Sequence, residues 1–266
     1  MGILNVTPDS FSDGGRYLDP SAADARVAQL LDEGADLIDI GGESTRPGST
    51  AIDADEQLRR VLGPVARAAA AGAIVSIDTT LPAVARAACE AGAVIVNDVS
   101  CLADPDLARV AREADGWLLV MHSLGAMAAM PGFSSSPESL YKDVVAEVTS
   151  ALASARARAL AAGLPADRFW VDPGLGFHKS AAHSYALLRH LESLRALGPV
   201  VVGASRKSFL ARDVAAPPDG RLGGTVAAGL AAARRGAAVL RVHDVRAMRQ
   251  ALAVERAIES PPARGA

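Results

Sequence analysis

Short apolar runs rich in Val, Ile and Leu alternate along this chain with longer alanine-rich stretches that have helical spacing. The apolar runs predict strands at residues 2–5, 37–41, 74–78, 94–98, 118–122, 169–172, 200–204 and 239–242. The stretches between them predict helices at 22–33, 54–71, 82–91, 105–113, 138–162, 181–194, 224–235 and 245–258. Nearly continuous apolar strands joined by helices imply a parallel sheet covered on both faces. Eight strand–helix units favour an α/β fold of the closed (β/α)8 TIM barrel type, a single domain over residues 1–266. An open doubly wound sheet is the second choice. Gly34, Gly72, Gly92, Gly163 and Gly236 follow helical runs as C-terminal caps. Pro82, Pro105 and Pro137 stand near helix starts, where a missing N–H costs little. No linker divides the chain; 125–136 and 211–220 are the stretches expected to be flexible.

Two polar segments interrupt this pattern early. Asn5-Val6-Thr7-Pro8-Asp9-Ser10-Phe11-Ser12-Asp13-Gly14-Gly15 follows the first strand, and Gly41-Gly42-Glu43-Ser44-Thr45-Arg46-Pro47-Gly48 follows the second. Both are longer than the usual connection of about 2–6 residues in α/β units. Folding alone does not require such a crowd of Asn, Asp, Glu, Thr and Arg, whereas a charged or strongly hydrogen-bonding ligand does. Their glycines permit tight turns and movement, which suits loops that close over a ligand and exclude water.

Composition narrows the function. Half of the 266 residues are hydrophobic but only 4% are aromatic, so the core is aliphatic. A net charge of −3 argues against nucleic acid as the main partner. Lys142, Lys179 and Lys207 are the only lysines, so a lysine in a glycine-rich loop draws attention. The two cysteines, Cys89 and Cys101, make neither a disulfide framework nor a metal-spaced cluster. No basic and apolar leader begins the chain, and no apolar run approaches the roughly 20 residues that span a bilayer. A cytoplasmic protein without a membrane partner is expected.

Polar residues recur at the C-terminal end of almost every predicted strand. They are Asn5, Glu43 with Thr45 and Arg46, Asp78, Asn97 with Asp98, His122, Asp172, Ser205-Arg206-Lys207, and Arg241 with His243-Asp244. In a (β/α)8 barrel these ends share one mouth, where catalytic groups gather. Singly, each has a plain structural role open to it, such as a helix cap or a satisfied core imidazole. Accidents of structure would fall at both ends of the strands, so recurrence at one end favours a site.

With these residues in order, the chain resembles the dihydropteroate synthases of the pterin-binding enzyme family, from Asn5 to Asp244. The matching segments are residues 5–15, 41–48, Ser76-Ile77-Asp78-Thr79, Asn97-Asp98-Val99-Ser100, Met121-His122, Asp172-Pro173-Gly174-Leu175-Gly176-Phe177, Ser205-Arg206-Lys207-Ser208 and Arg241-Val242-His243-Asp244. The resemblance implies joining of 6-hydroxymethyl-7,8-dihydropterin diphosphate to p-aminobenzoate, with loss of diphosphate. Asp78, Asn97, Asp172, Met121 and Lys207 would then hold the pterin, whose amino and ring N–H groups suit carboxylate and amide acceptors. Asn5, Thr45, Arg241 and His243 would bind the diphosphate, and Asn5 would give an oxygen ligand to Mg²⁺. Phe11, Thr45, Arg46, Pro47, Phe177 and Ser208 would form the p-aminobenzoate slot. Lys207, Arg241 and His243 would be the catalytic cations and donors, placed where negative charge grows on the leaving group. A homodimer is implied by the same resemblance.

The chain departs from the family pattern at four places. It starts one residue before Gly2, ahead of which the family has a leading segment. Cys101 stands where glycine is usual, Ser123-Leu124-Gly125-Ala126-Met127 replaces the usual loop after Met121-His122, and His178 replaces a small residue. None of these removes a candidate catalytic group. Two other readings stay open: a pterin-binding paralogue with weak or no catalysis, and a methyltetrahydrofolate:corrinoid methyltransferase. The second has no use for residues 5–15, Thr45-Arg46 or Arg241-Val242-His243.

Overall fold

The computed structural model describes residues 1–7, 20–44, 52–125, 130 and 132–259. Among the described residues eight strands alternate with eight α-helices: β1 Gly2–Asn5, α1 Pro20–Asp32, β2 Leu37–Gly41, α2 Ala54–Ala70, β3 Ile74–Asp78, α3 Pro82–Glu90, β4 Ala93–Asp98, α4 Asp106–Glu113, β5 Trp117–Met121, α5 Val144–Ala161, β6 Phe169–Asp172, α6 Ala181–Arg189, β7 Val200–Val202, α7 Leu222–Arg234, β8 Ala237–Leu240 and α8 Val245–Glu259. The strands form one parallel sheet in chain order, β1 to β8. Just past β8, the Val242 N–H donates to Met1 O at 2.9 Å and the Ile3 N–H donates to Val242 O at 3.1 Å. Those bonds join the last strand's continuation to the first strand.

Alternation along the strands separates two faces. Leu4, Ile38, Ile40, Val75, Ile77, Val96, Leu118, Val120, Val171, Val200 and Val202 pack beneath helix residues such as Leu30, Val61, Ala85, Leu107 and Leu152. The other set packs only among itself: Ile95, Leu119 and Val201 are buried, with Leu37, Trp117, Trp170 and Val239 around them. Because side chains alternate with a period of two, Asn5, Asp39, Ser76, Asp78, Asn97, Asp172 and Arg241 belong to this second face too. It is apolar near the strand starts and polar near their ends.

The local stops and starts follow the expected chemistry. The five helix-ending glycines all have positive φ, between 83° and 113°, and Pro82 occupies the first turn of α3. Two long predicted helices are shorter in the structure. Residues 138–162 divide into a 3₁₀ turn at Glu138–Leu140 and α5, because the Asp143 carboxylate caps the N–H groups of Val145 and Ala146. Residues 181–194 divide at His190, which leaves the helical region at ψ 33° and is followed by a 3₁₀ turn at Leu191–Leu194. No helix among the described residues is long and apolar enough to cross a membrane.

Candidate active site

Four strands bring their polar groups together around one arginine. From just beyond β8, Arg241 Nε donates to Asp39 Oδ2 at 2.6 Å, and Nη2 donates to Asp78 Oδ2 at 3.0 Å. Asp39 Oδ2 also accepts from Asn97 Nδ2 at 3.1 Å. Asp39 is fully buried and the Asp78 side chain is 10% exposed, so these charges sit in a poorly solvated setting. Burial opposes the Arg241 charge, but the Asp39 and Asp78 carboxylates outweigh it and hold its pKa above the ordinary value. Asp78 is pushed upward, first by burial and next by the Asp39 charge, with Arg241 pulling the other way.

On the facing strands, Asp172 and Lys207 complete the polar floor. Asp172 Oδ1 accepts from the Gly174 N–H at 2.7 Å. Gly174 itself has φ 66°, and a Cβ there would lie 2.1 Å from His122 O, so only glycine lets this loop lie against the β5 end. Lys207 Nζ donates to Leu175 O at 2.6 Å and sits 4.3 Å from the centre of the Phe177 ring. A Cβ at Gly203 would stand 3.7 Å from Asp172 Oδ2, 3.9 Å from Lys207 Nζ and 4.0 Å from Arg241 Cβ, so these three side chains surround one backbone position. Burial lowers Lys207 to about 8 against the pull of Asp172. Burial raises Asp172, and Lys207 is the strongest opposing influence.

Beside this floor lies an apolar wall. Met121 and Phe177 are buried with Val99 and Met130, and Phe177 meets Phe133 edge to face at 5.2 Å. Ser208 Oγ donates to Phe133 O at 2.7 Å, tying the β7 loop to the same wall. His243 lies next to Arg241, with Nδ1 paired to Ser205 Oγ at 3.0 Å. Burial, followed by the nearby Arg206 and Arg241 charges, lowers His243 to about 3, so its imidazole is neutral at pH 7. Arg206, Asp244 and Asp219 form a separate brace, with Arg206 contacting Asp244 through two bonds of 3.0 and 2.7 Å.

Asn5, Asp78, Asn97, Met121, Asp172, Phe177, Lys207, Ser208, Arg241 and His243 thus all stand at the ends of the strands or in the loops just beyond. Phe11, Thr45, Arg46 and Pro47 lie outside the described residues. Sequence reasoning passed over Asp39, although a lone carboxylate inside an apolar strand is a signal in itself. It also gave no role to Lys179, whose fully buried ammonium lies 2.9 Å from His122 Nδ1 and donates to Phe177 O at 3.0 Å. The bond from Gln57 Nε2 to Glu43 (2.7 Å) and the one Gln57 accepts from Thr79 Oγ1 (2.9 Å) were unanticipated as well; they brace the segment after β2.

Carboxylates, an amide and cations gathered on one face of a parallel sheet are the arrangement of an α/β enzyme with a polar small-molecule site. The family model described as "Pterin binding enzyme" matches residues 1–243. The chain belongs to that family, among its dihydropteroate synthases. It is 47% identical over 262 residues to dihydropteroate synthase of Mycobacterium leprae, covering 96% of this chain and 91% of that protein. The Xanthomonas albilineans dihydropteroate synthase solved with 4-aminobenzoic acid superposes with a TM-score of 0.87 at 45% identity, covering 98% and 93% of the two chains. The same enzyme in complex with 7,8-dihydropteroate gives 0.83 at 41% identity, covering 98% and 94%.

Proposed function

We infer that this protein condenses 6-hydroxymethyl-7,8-dihydropterin diphosphate with p-aminobenzoate, forming 7,8-dihydropteroate and diphosphate. It is a transferase of folate biosynthesis. The observation that carries the reading is the gathering of Asp78, Asn97, Asp172 and Lys207 at adjoining strand ends, beside the Phe177 wall. Formation of dihydropteroate from the two substrates with Mg²⁺ tests it. A purified, folded protein that binds the pterin but makes no product would instead support a non-catalytic paralogue.

In this reading the Asp78 and Asp172 carboxylates accept the pterin's amino and ring N–H groups, with Asn97 beside them. Lys207 donates toward the pterin's ring acceptors and offsets the charge of Asp172. Met121 packs against the ring. The C–O bond at the pterin methylene breaks, and its electron pair leaves with the diphosphate. The arylamine nitrogen lone pair then forms the C–N bond, and the nitrogen gives up a proton to the departing diphosphate or to solvent. No protein base is needed, because attack falls on a resonance-stabilised cation. Arg241 and His243 hold the diphosphate; Arg241 keeps Nη1 for this while Nε and Nη2 stay on Asp39 and Asp78. Neutral His243 acts as a hydrogen-bonding partner rather than as a cation. Phe177, Ser208, Phe11, Thr45, Arg46 and Pro47 form the p-aminobenzoate slot, with Thr45 also serving the diphosphate.

Among the described residues no group of three or more His, Cys, Asp or Glu side chains is placed to hold a metal. Asn5 still fits Mg²⁺. It is a hard oxygen donor at the end of β1, without a side-chain partner among the described residues, and Mg²⁺ needs few protein ligands when phosphate oxygens supply the rest. Bound there, Mg²⁺ would neutralise charge on the leaving diphosphate. The same reading takes residues 1–266 as one closed (β/α)8 domain, supported by the bonds between Val242 and Met1 and Ile3. It also takes the protein as a homodimer, which light scattering tests.

A further inference from the structure

We propose that Asp39 is a positioning residue for pterin recognition: it sets the orientation of the Asn97 amide and anchors Arg241 against Asp78. The proposal rests on the pterin-reading site proposed above and adds to it a residue that does not itself touch the substrate.

Asp39 is fully buried inside β2, between Ile38 and Ile40. A side chain serving only the packing of this strand would be apolar like its neighbours, because burying a carboxylate costs several kcal/mol unless its partners compensate. Its side-chain hydrogen bonds go to Arg241 and Asn97, both of them site residues, and both bonds use Oδ2. Asp39 Oδ1 has no partner, nor has Ser76 Oγ, although Ser76 is the register partner of Asp39 on β3. Among the described residues the hydrogen bonds that hold this carboxylate therefore come from the site side, and the Met1 ammonium adds a charge interaction.

An ionised carboxylate only accepts hydrogen bonds. The atom that Asn97 turns to Asp39 must therefore be its nitrogen, which settles the flip of the amide on chemical grounds. Register then gives the direction. Gly41, Asp78 and Asn97 are aligned across β2, β3 and β4, and Asp39 is two residues nearer the strand starts than Gly41, roughly 6–7 Å deeper along the strand. Asn97 Nδ2 thus points down toward Asp39. Its Oδ1, on the other arm of the same planar group, is left as an acceptor toward the mouth. A flipped amide would set its nitrogen against the N–H edge of a pterin. Arg241 gains from the same oxygen: with Nε fixed on Asp39, Nη2 reaches Asp78.

Two experiments test this. In Asp39→Asn, affinity for a non-reactive pterin without diphosphate is expected to fall about ten- to a hundredfold by calorimetry, the range for losing a hydrogen bond to a charged group. In an Asn97→Ala background the same substitution is expected to cost clearly less, since the amide it orients is gone and only the Arg241 anchor is left to lose. Equal losses in both backgrounds would overturn the proposal, as would unchanged affinity in Asp39→Asn alone. If wild-type protein fails to bind the pterin, the reading of the site fails. If wild type binds, Asp78→Asn weakens it and Asp39→Asn does not, the role of Asp39 alone fails.

The second experiment needs no variant of Asp39. The chain has two asparagines, Asn5 and Asn97, so ¹⁵N-asparagine labelling gives two side-chain amides in a nuclear magnetic resonance spectrum. One of the four amide protons should exchange slowly with solvent in the ligand-free enzyme, the Asn97 proton held by Asp39. Four rapidly exchanging protons would refute the orientation.

Discussion

Two cations, the partly buried Arg241 and the fully buried Lys179, sit only a few strands apart and meet burial in opposite ways. Arg241 lies between the Asp39 and Asp78 carboxylates, and its pKa stays above the ordinary value. Lys179 hydrogen-bonds an imidazole nitrogen and a backbone carbonyl, neither of them anionic, and burial outweighs the Asp172 charge and brings it down to about 7. A guanidinium between two carboxylates is a fixed charge, suited to a task that must not vary with pH. An amine among neutral partners becomes a titrating group. Lys207 falls between them: it is lowered to about 8, and the Asp172 charge supports its protonated form.

The harshest way to break this contrast is Arg241→Ala. It strands two buried carboxylates, and removing one member of a buried ion pair costs about 3–5 kcal/mol. The melting temperature should fall accordingly. If Arg241 served the diphosphate alone, such a variant would spare the bare pterin. The Arg241–Asp78 bond instead ties together the two ends of the proposed substrate site, so calorimetry should show weaker binding of both the bare pterin and its diphosphate ester.

Asp78→Asn comes next. It replaces an acceptor of two donors with an amide that sets one donor against another, and pterin affinity should fall about ten- to a hundredfold. Unchanged affinity would remove Asp78 from the pterin site. Lys207→Met should likewise weaken pterin binding, about tenfold at pH 7. For wild type, the dependence on Lys207 should fade as pH rises through about 8, where its ammonium loses the proton. A pterin affinity that is flat from pH 7 to 9.5 would contradict that role.

The gentlest test concerns Lys179. Its pKa is about 7 in the folded protein, against 10.5 for an ordinary lysine. Between those values the unfolded chain binds more protons than the folded one, so this group makes stability rise with pH across the window. Below pH 7 both states hold the proton and the full cost of burying the charge remains. Lys179→Met should therefore gain on wild type by several degrees of melting temperature when pH falls from 10 to 6. A constant difference between the two proteins would show that Lys179 keeps its ordinary pKa.

Much of this protein was legible in the order of its residues. Alternating apolar runs and alanine-rich stretches gave the eight strand–helix units, and the limits of β1, β2, β3 and β6 agree with the structure at both ends. Local chemistry was enough there, since strand propensity, helix-ending glycines and first-turn prolines act within a few residues. The identities of Asp78, Asn97, Asp172, Lys207 and Arg241 were likewise visible as polar residues following apolar strands. The splitting of two helices was not, because it depended on the cap at Asp143 and the backbone turn at His190.

What the tertiary structure decided is which of these groups meet. Arg241 is 202 residues from Asp39 and 163 from Asp78, yet it bonds to both. In the sequence Asp39 is one carboxylate within an apolar strand, which drew no reading, and Lys179 is one of three lysines. Only the parallel register, which sets Asp39 one layer below Asp78 and Asn97, makes the first a partner of the site. Only the close approach at Gly174 lets the β6 loop press on the end of β5, the two segments that Lys179 ties together. Sequence spacing determines local conformation, since that is settled by near neighbours. Charge pairing depends on distance and on the loss of water, and both exist only once the strands have come together in the sheet.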